Sequence, residues 1–126
     1  MSFSITQVIN KFLPVKIIGS AYKDIILQDE AIALGNGTPF AIESYKTLNI
    51  KIAGTSTGRT VSFEVAGFDG AYEPIQGVKT QDLSMATQTT GNNESWQFDV
   101  TGFVFFRARI DSITDGTVNV KGRAVA

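Results

Sequence analysis

Apolar and polar residues alternate almost without interruption between residues 47 and 124. The alternation is clearest in the runs 48–52, 61–65, 96–100 and 104–110, where every second residue is apolar. A period of two is typical of strands with one buried side, because successive side chains point to opposite faces of a sheet. Glycine-rich and Asp-Gly segments separate the runs, and such turn signals fold consecutive strands back on one another. The pattern therefore predicts short antiparallel strands.

The strand candidates are spaced by about ten residues with turn signals between them, which favours two stacked sheets over alternating strands and helices. We predict eight to ten strands from 22–27, 31–34, 38–43, 47–53, 59–66, 71–75, 82–87, 95–101, 103–111 and 117–124. The segment 28–30 is interpreted as a break between strands, and 87–93 as the most mobile loop. The predicted fold is an all-β, antiparallel two-sheet β-sandwich, jelly-roll-like, with one core formed by Val61, Phe63, Trp96, Phe98, Val104, Phe106, Ile110 and Val118.

The first twenty residues follow a different pattern. Five apolar residues lie at helical spacing and end at a proline: Ile5, Val8, Ile9, Phe12 and Leu13, then Pro14. This spacing predicts a short amphipathic helix, while the β-rich stretch 2–6 predicts an extended arm, and both readings stay open. A helix this short is unstable alone, so its apolar stripe needs a docking surface. We therefore divide the chain into an N-terminal arm, 1–20, and a β-sandwich domain, 21–126.

Composition excludes several classes of protein. A length of 126 residues fits one domain, and 11 basic against 12 acidic residues give a net charge of −1, without the basic field that nucleic-acid binding needs. The chain has no cysteine and no histidine, which removes thiolate nucleophiles, the usual zinc sites and imidazole catalysis. Asn10, Lys11 and Pro14 interrupt the apolar segment 5–18, so we predict neither a secretory signal nor a membrane span. We expect no cofactor and no nucleic-acid or membrane partner.

Three aspartates are candidate metal ligands. Asp69 precedes Gly70 and is interpreted as part of a hairpin turn, in which aspartate bonds its own backbone. Asp111 and Asp115 flank another turn and are candidates to share a calcium ion with Asp69. Calcium needs six to eight oxygen ligands, and no ligand-dense loop is present in the sequence. We therefore predict no metal site.

Two pairs of acids are candidate glycosidase-type catalysts: Glu94 with Asp99, and Asp24 with Glu43. Each lies in an outward strand position or in a turn, which indicates solvated surface acids. Trp96 shares the phase of the core residues and is interpreted as core rather than as a sugar-stacking ring. The sequence therefore favours a protein without enzymatic activity.

The run 103–110 predicts a surface for partners. If residues 104, 106, 108 and 110 face the core, the alternate residues lie on the opposite face of the strand. That face then carries two aromatic rings and two guanidinium groups: Phe103, Phe105, Arg107 and Arg109. Aromatic residues and arginine are enriched at protein interfaces. Alternatively, Phe103 precedes the strand and tucks under a sheet edge. We predict these four residues, together with the arm residues Ile5, Val8, Ile9, Phe12 and Leu13, as the partner-binding set.

Several segments of the chain resemble a known family. They are GNGT at 35–38, YKTLNIKIAG at 45–54, TVSFE at 60–64, FDG at 68–70, WQFDVTGF at 96–103, FRARI at 106–110 and GTVNVKGRA at 116–124. Their order and spacing, over roughly 30–126, are similar to small β-sandwich virion structural proteins of tailed bacteriophages. The resemblance implies a capsid decoration or head-fibre-type protein, or a tail-associated module, and it brings no catalytic residues.

The resulting functional prediction is a non-enzymatic virion protein that binds the major capsid protein or other virion proteins, as a homo-oligomer, with a homotrimer favoured. It would be assembled in the host cytoplasm and located in the virion. The alternative is a carbohydrate-binding or host-surface adhesion module of a phage tail, with Tyr22, Tyr45 and Tyr72 as candidate sugar contacts. A small hydrolase has the least support.

Overall fold

A computed structural model describes residues 21–126, and the predicted arm with Ile5, Val8, Ile9, Phe12 and Leu13 lies outside the described residues. Eleven strands occur in this part of the chain: β1 Tyr22–Ala31, β2 Phe40–Ala41, β3 Thr47–Ala53, β4 Gly58–Ala66, β5 Tyr72–Pro74, β6 Gly77–Lys79, β7 Met85–Ala86, β8 Gln88–Thr89, β9 Glu94–Asp99, β10 Phe105–Thr114 and β11 Val118–Val125. Between residues 21 and 126 there is no helix of the length and apolarity that a membrane span requires.

The strands form two antiparallel sheets. The six-stranded sheet has the order β1-β11-β3-β9-β6-β7, and the five-stranded sheet has the order β2-β10-β4-β5, with β8 also paired to β4. Consecutive elements such as β9 and β10 lie in different sheets, so the chain crosses between the layers repeatedly and encloses one core. The predicted all-β sandwich is confirmed.

Aromatic rings from both sheets meet in the centre of the core. Phe63 of β4 lies 5.2 Å from Trp96 and 4.8 Å from Phe98, both of β9, measured between ring centroids. Phe98 in turn lies 4.9 Å from Phe106 of β10. All four rings are buried. The contacts cross the gap between the sheets, so burial of these rings holds the two layers together.

One predicted core residue is wrong. Seven of the eight are buried, but Val104 is 39% exposed. It precedes β10, where its amide donates to the Ala66 carbonyl and its own carbonyl accepts from Ile42. Val104 therefore lies at the end of the sandwich, outside β10. The alternation of buried and exposed residues along β10 does not extend to it.

The predicted end of the first strand is wrong because a polar residue, Gln28, is buried within β1. β1 continues from Tyr22 to Ala31 through two irregularities in its pairing with β11, so the predicted break at 28–30 and the strand at 31–34 are wrong. Gln28 is buried because its side-chain amide donates to the carbonyls of Gly35, at 3.2 Å, and Ala108, at 2.7 Å. These long-range bonds satisfy a polar group that the local pattern assigns to a turn.

Four further differences concern short strands. Of the predicted strand 38–43, only Phe40–Ala41 forms, and 82–87 reduces to Met85–Ala86. Gly77–Lys79 is a strand that was not predicted, and the predicted loop 87–93 contains the short strand Gln88–Thr89. Strands of two or three residues are too short for alternation to be recognised.

Candidate functional site

The outer face of the five-stranded sheet places Phe105, Arg107 and Arg109 of β10 on one side, as the alternation predicts. In the antiparallel register, Phe105 lies opposite Ala66, Arg107 opposite Glu64 and Arg109 opposite Ser62. Tyr72 of β5 lies beside Ala66 on the same face. We call this surface the arginine face, formed by Ser62, Glu64, Tyr72, Phe105, Arg107, Arg109 and Asp111.

Glu64 is the centre of the arginine face. Its Oε1 accepts a hydrogen bond of 2.8 Å from Arg107 Nε, and its Oε2 lies 3.2 Å from Arg109 Nη1. Arg109 Nε also donates to Asp111 Oδ1 at 2.7 Å, and Ser62 donates to the other oxygen of Asp111. Although it points away from the core, Glu64 is only 8% exposed. The two arginines cover it and neutralise it.

Arg107 is held on two sides. Its guanidinium carbon lies 3.7 Å above the centroid of the Tyr72 ring, a cation–π contact, while Nε is bonded to Glu64. The two Nη nitrogens make no hydrogen bond within residues 21–126. A side chain fixed before binding loses less conformational entropy when a partner arrives. The Arg107 side chain is therefore held in one orientation on the arginine face.

Apolar side chains lie at the end of this face that is next to the loop between β4 and β5. Phe105 is 37% exposed and Phe68, in the loop between β4 and β5, is 99% exposed. Val104 is bonded through its amide to Ala66, two residues before Phe68, so these three apolar residues lie at the same end of the sheet. We call Phe68, Val104 and Phe105 the aromatic rim. Exposed aromatic rings beside arginine are the residue types that dominate binding energy at interfaces.

The exposure of Phe68 was not predicted from the sequence, although the adjacent Asp69-Gly70 turn was a signal for it. It lies in a turn closed by the Gly70 amide on the Gly67 carbonyl, with Asp69 Oδ1 accepting from the Ala71 amide. Gly70 has a φ of 78°, which glycine adopts at little cost. The predicted Asp-Gly turn is confirmed. A phenylalanine inside such a turn has no strand position that would bury it.

Phe103 does not lie on the arginine face. It is half-buried and packs against the core, and its amide donates to the Val100 carbonyl at 3.1 Å. The structure therefore matches the alternative in which Phe103 precedes the strand and tucks under an edge. The described part of the predicted partner-binding set that shares one face is Phe105, Arg107 and Arg109.

Glu94 is not the solvated surface acid that the sequence predicted. Its side chain is 14% exposed and accepts hydrogen bonds from Trp96 Nε1 at 3.1 Å and Thr89 Oγ1 at 2.7 Å, while Lys79 Nζ lies 3.3 Å away. Burial raises the pKa of Glu94, but the bonds from Thr89, Trp96 and Lys79 outweigh it, so the pKa lies below its usual value. Glu94 thus acts as an acceptor that ties β6, β8 and β9 together.

The other candidate acids also lie apart. Glu94 and Asp99 are at opposite ends of β9, and Asp24 pairs with Arg123 at 2.7 Å on the six-stranded sheet. No group of three or more acids between residues 21 and 126 is close enough to hold a metal ion.

The three tyrosines, the candidate sugar contacts of the alternative function, do not share one surface. Tyr45 is buried in the core. Tyr72 lies under Arg107 on the five-stranded sheet, whereas Tyr22 lies under Arg123, 4.0 Å from its ring centroid, on the six-stranded sheet. Rings covered by guanidinium groups on different layers offer no common stacking platform for a sugar.

Comparison with known proteins gives the family. The XepA family model matches residues 21–124, which is the whole described sandwich apart from its last two residues. Three similar proteins come from Bacillus subtilis strain 168: the uncharacterized protein YqxG, 34% identical over 103 residues, XepA of the phage-like element PBSX, 35% identical over 103 residues, and the SPβ prophage-derived protein YomS, 30% identical over 98 residues. The matches cover 82%, 82% and 78% of this chain.

Two solved structures share the fold. The crystal structure of YomS superposes with a TM-score of 0.80 at 28% identity, covering 83% of this chain and 93% of YomS. That of the PBSX exported protein XepA superposes with a TM-score of 0.82 at 34% identity, covering 86% of this chain and 39% of XepA. The chain matches 82% of YomS but spans only 35% of YqxG and 37% of XepA. It is a β-sandwich related to phage-derived proteins and belongs to the XepA family.

Proposed function

We propose that this chain is a non-enzymatic structural protein of a phage-like particle, which docks on the capsid lattice as a decoration or head-fibre-type protein. Two of its relatives are phage-derived by name, from PBSX and SPβ. The observation that carries the proposal is the arginine face with its aromatic rim. Arg107 is fixed by Glu64 and Tyr72, and Phe68 is fully exposed at the same end of the sheet as Val104 and Phe105.

The chemistry of this surface suits a protein partner. The two arginines and the two acids Glu64 and Asp111 cancel in charge, so long-range attraction contributes little and contact must come from shape, aromatic burial and directed hydrogen bonds. Arg107 offers its Nη donors, which are unpaired within residues 21–126, to backbone carbonyls or a carboxylate, while Phe68 and Phe105 offer apolar area. A folded lattice protein presents both kinds of group.

The partner is the major capsid protein or another virion protein, and the protein acts as a homo-oligomer, with three copies the favoured number. A symmetric oligomer matches the repeated sites of a lattice, because each copy then meets an equivalent surface. Its location is the virion, after assembly in the host cytoplasm. The name of XepA as an exported protein fits release of such proteins from the cell.

Co-sedimentation with purified phage particles tests the proposal. We expect the wild-type protein to sediment with particles and to be visible at a fixed ratio to the capsid protein. Replacing Phe68 and Phe105 by serine should lower occupancy at least about tenfold, because hot-spot aromatics each contribute on the order of 2 kcal/mol or more. Leu83→Ser is the control, since Leu83 is also an exposed apolar residue, at 74%, but lies between β6 and β7, in the other sheet.

The outcomes separate the alternatives. Equal loss in the Leu83→Ser protein would mean that general apolar exposure, rather than the aromatic rim, causes sedimentation. Sedimentation with isolated tails but not heads would favour the tail-adhesion alternative. Deletion of residues 1–20 tests the predicted apolar arm, and we expect the remaining sandwich to fold but to lose oligomer formation or particle binding.

A further inference from the structure

A depression lies on the outer side of the six-stranded sheet, where the ends of β3, β9 and β6 meet. It has a volume of about 440 Å³. The register of the sheet brings its lining residues together: Thr47 of β3 lies opposite Asp99 of β9, and Gln97 of β9 lies opposite Val78 of β6. A volume of this order matches small-molecule sites, which run from roughly 300 to 1,000 Å³.

Most polar side chains around the depression have no partner in the described part of the chain. Lys46 has no carboxylate within ion-pair distance there, and the side chains of Thr47 and Gln97 make no hydrogen bond between residues 21 and 126. Asp99 accepts from the amide of Thr101 at 3.0 Å. The hydroxyl and amide of Thr101 hold the pKa of Asp99 below its usual value, so the carboxylate stays ionised.

Val78 is the apolar side chain that lines the depression between the polar groups. Phe98 also belongs to the lining, but its ring is buried in the core and only 2% of the residue is exposed, so Val78 supplies the apolar contact. The depression is open to solvent, so an elongated ligand can lie across it rather than enter a closed cavity.

We propose that this depression binds a neutral saccharide. One ammonium, Lys46, and one carboxylate, Asp99, cancel in charge, which disfavours ligands of high net charge. A sugar hydroxyl donates one hydrogen bond and accepts others, so adjacent hydroxyls can bond to Asp99 and Lys46 at the same time. Gln97 and Thr47 both donate and accept, which fits further hydroxyl groups, and the carbon–hydrogen face of the ring rests on Val78. The depression lies on the opposite sheet from the arginine face. If no saccharide binds there, the proposal that the arginine face binds particles is therefore unaffected.

Amide NMR of the full chain, titrated with a panel of neutral oligosaccharides, tests the site. The probes are maltotriose, lactose and tri-N-acetylchitotriose. At least one probe should shift the amides of Lys46, Thr47, Gln97 and Asp99 at about 10 mM, a concentration that saturates a millimolar site. Lys46→Met and Gln97→Leu should each weaken binding about tenfold, the effect of losing one well-formed hydrogen bond to a charged or polar group.

Lys51→Met is the matched control. Lys51 is exposed on the same strand, β3, but it does not line the depression. It should bind the sugar as the wild type does. The proposal is overturned if no probe shifts these amides, if Lys51→Met weakens binding as much as Lys46→Met, or if glycine or inorganic phosphate binds more tightly than every neutral sugar.

Discussion

Truncation of Phe98 to alanine tests the aromatic core. Phe98 is buried between the two sheets, with ring centroids 4.8 Å from Phe63 and 4.9 Å from Phe106. It also supports the backbone at Gly77. Loss of the ring removes contacts in both layers at once, and the surrounding strands, which are paired on both sides, cannot collapse to fill the space.

The expected cost follows from these contacts. Replacing a fully buried phenylalanine by alanine destabilises proteins by about 3–5 kcal/mol. Each aromatic pair contributes about 0.5–1.5 kcal/mol beyond area burial, so the two pairs account for roughly 1–3 kcal/mol of that loss. Phe98→Leu keeps most of the apolar volume but not the ring pairs, and it should cost roughly 1–2 kcal/mol.

Urea unfolding followed by fluorescence measures this cost directly, because Trp96 is the only tryptophan and is buried beside Phe63. Phe68→Ala is the matched control: the same substitution at a fully exposed ring should change the free energy of unfolding by less than about 0.5 kcal/mol. A cost below about 1.5 kcal/mol for Phe98→Ala, or one equal to that of Phe68→Ala, would refute this description of the core.

Three further predictions concern the charged groups. A double-mutant cycle of Arg107→Ala and Glu64→Ala, measured by urea unfolding, should give a coupling of about 0.5–3 kcal/mol, and a coupling near zero would show that the arginine face is not fixed. The pKa of Glu94 is lower in the folded protein than its usual value of about 4.5. Its contribution to stability is therefore present above that value and is lost as the pH falls through the folded pKa, and Glu94→Gln should flatten the acid limb of the melting temperature against pH. EDTA should leave the melting temperature unchanged; a drop of more than a few degrees would reveal a metal bound at turn acids such as Asp69, Asp111 and Asp115.

The fold could be predicted from the sequence where alternation is strict. Trp96, Phe98 and Val100 share one phase over an uninterrupted strand, and all three are buried. Gln28 shows the limit of that pattern. Its burial depends on carbonyls of Gly35 and Ala108, and the second is eighty residues away, so no local window contains the reason.

The candidate site could be predicted only in part. Alternation placed Phe105, Arg107 and Arg109 on one face, because side-chain direction along a strand is a local property. The partners that fix the arginines, Glu64 and Tyr72, come from neighbouring strands whose register is set by the whole fold. Sequence alone therefore identifies the donors but not their pre-organisation.

Photo-crosslinking from the arginine face tests the central claim most directly. Phe105 is replaced by a photoreactive phenylalanine analogue, and the protein is irradiated with phage particles, with the same analogue at Leu83 as control. The proposed function predicts a crosslink from position 105 to the major capsid protein or another virion protein, and none from position 83. Equal crosslinking from both positions, or none from position 105 to any virion protein, would contradict docking through this face.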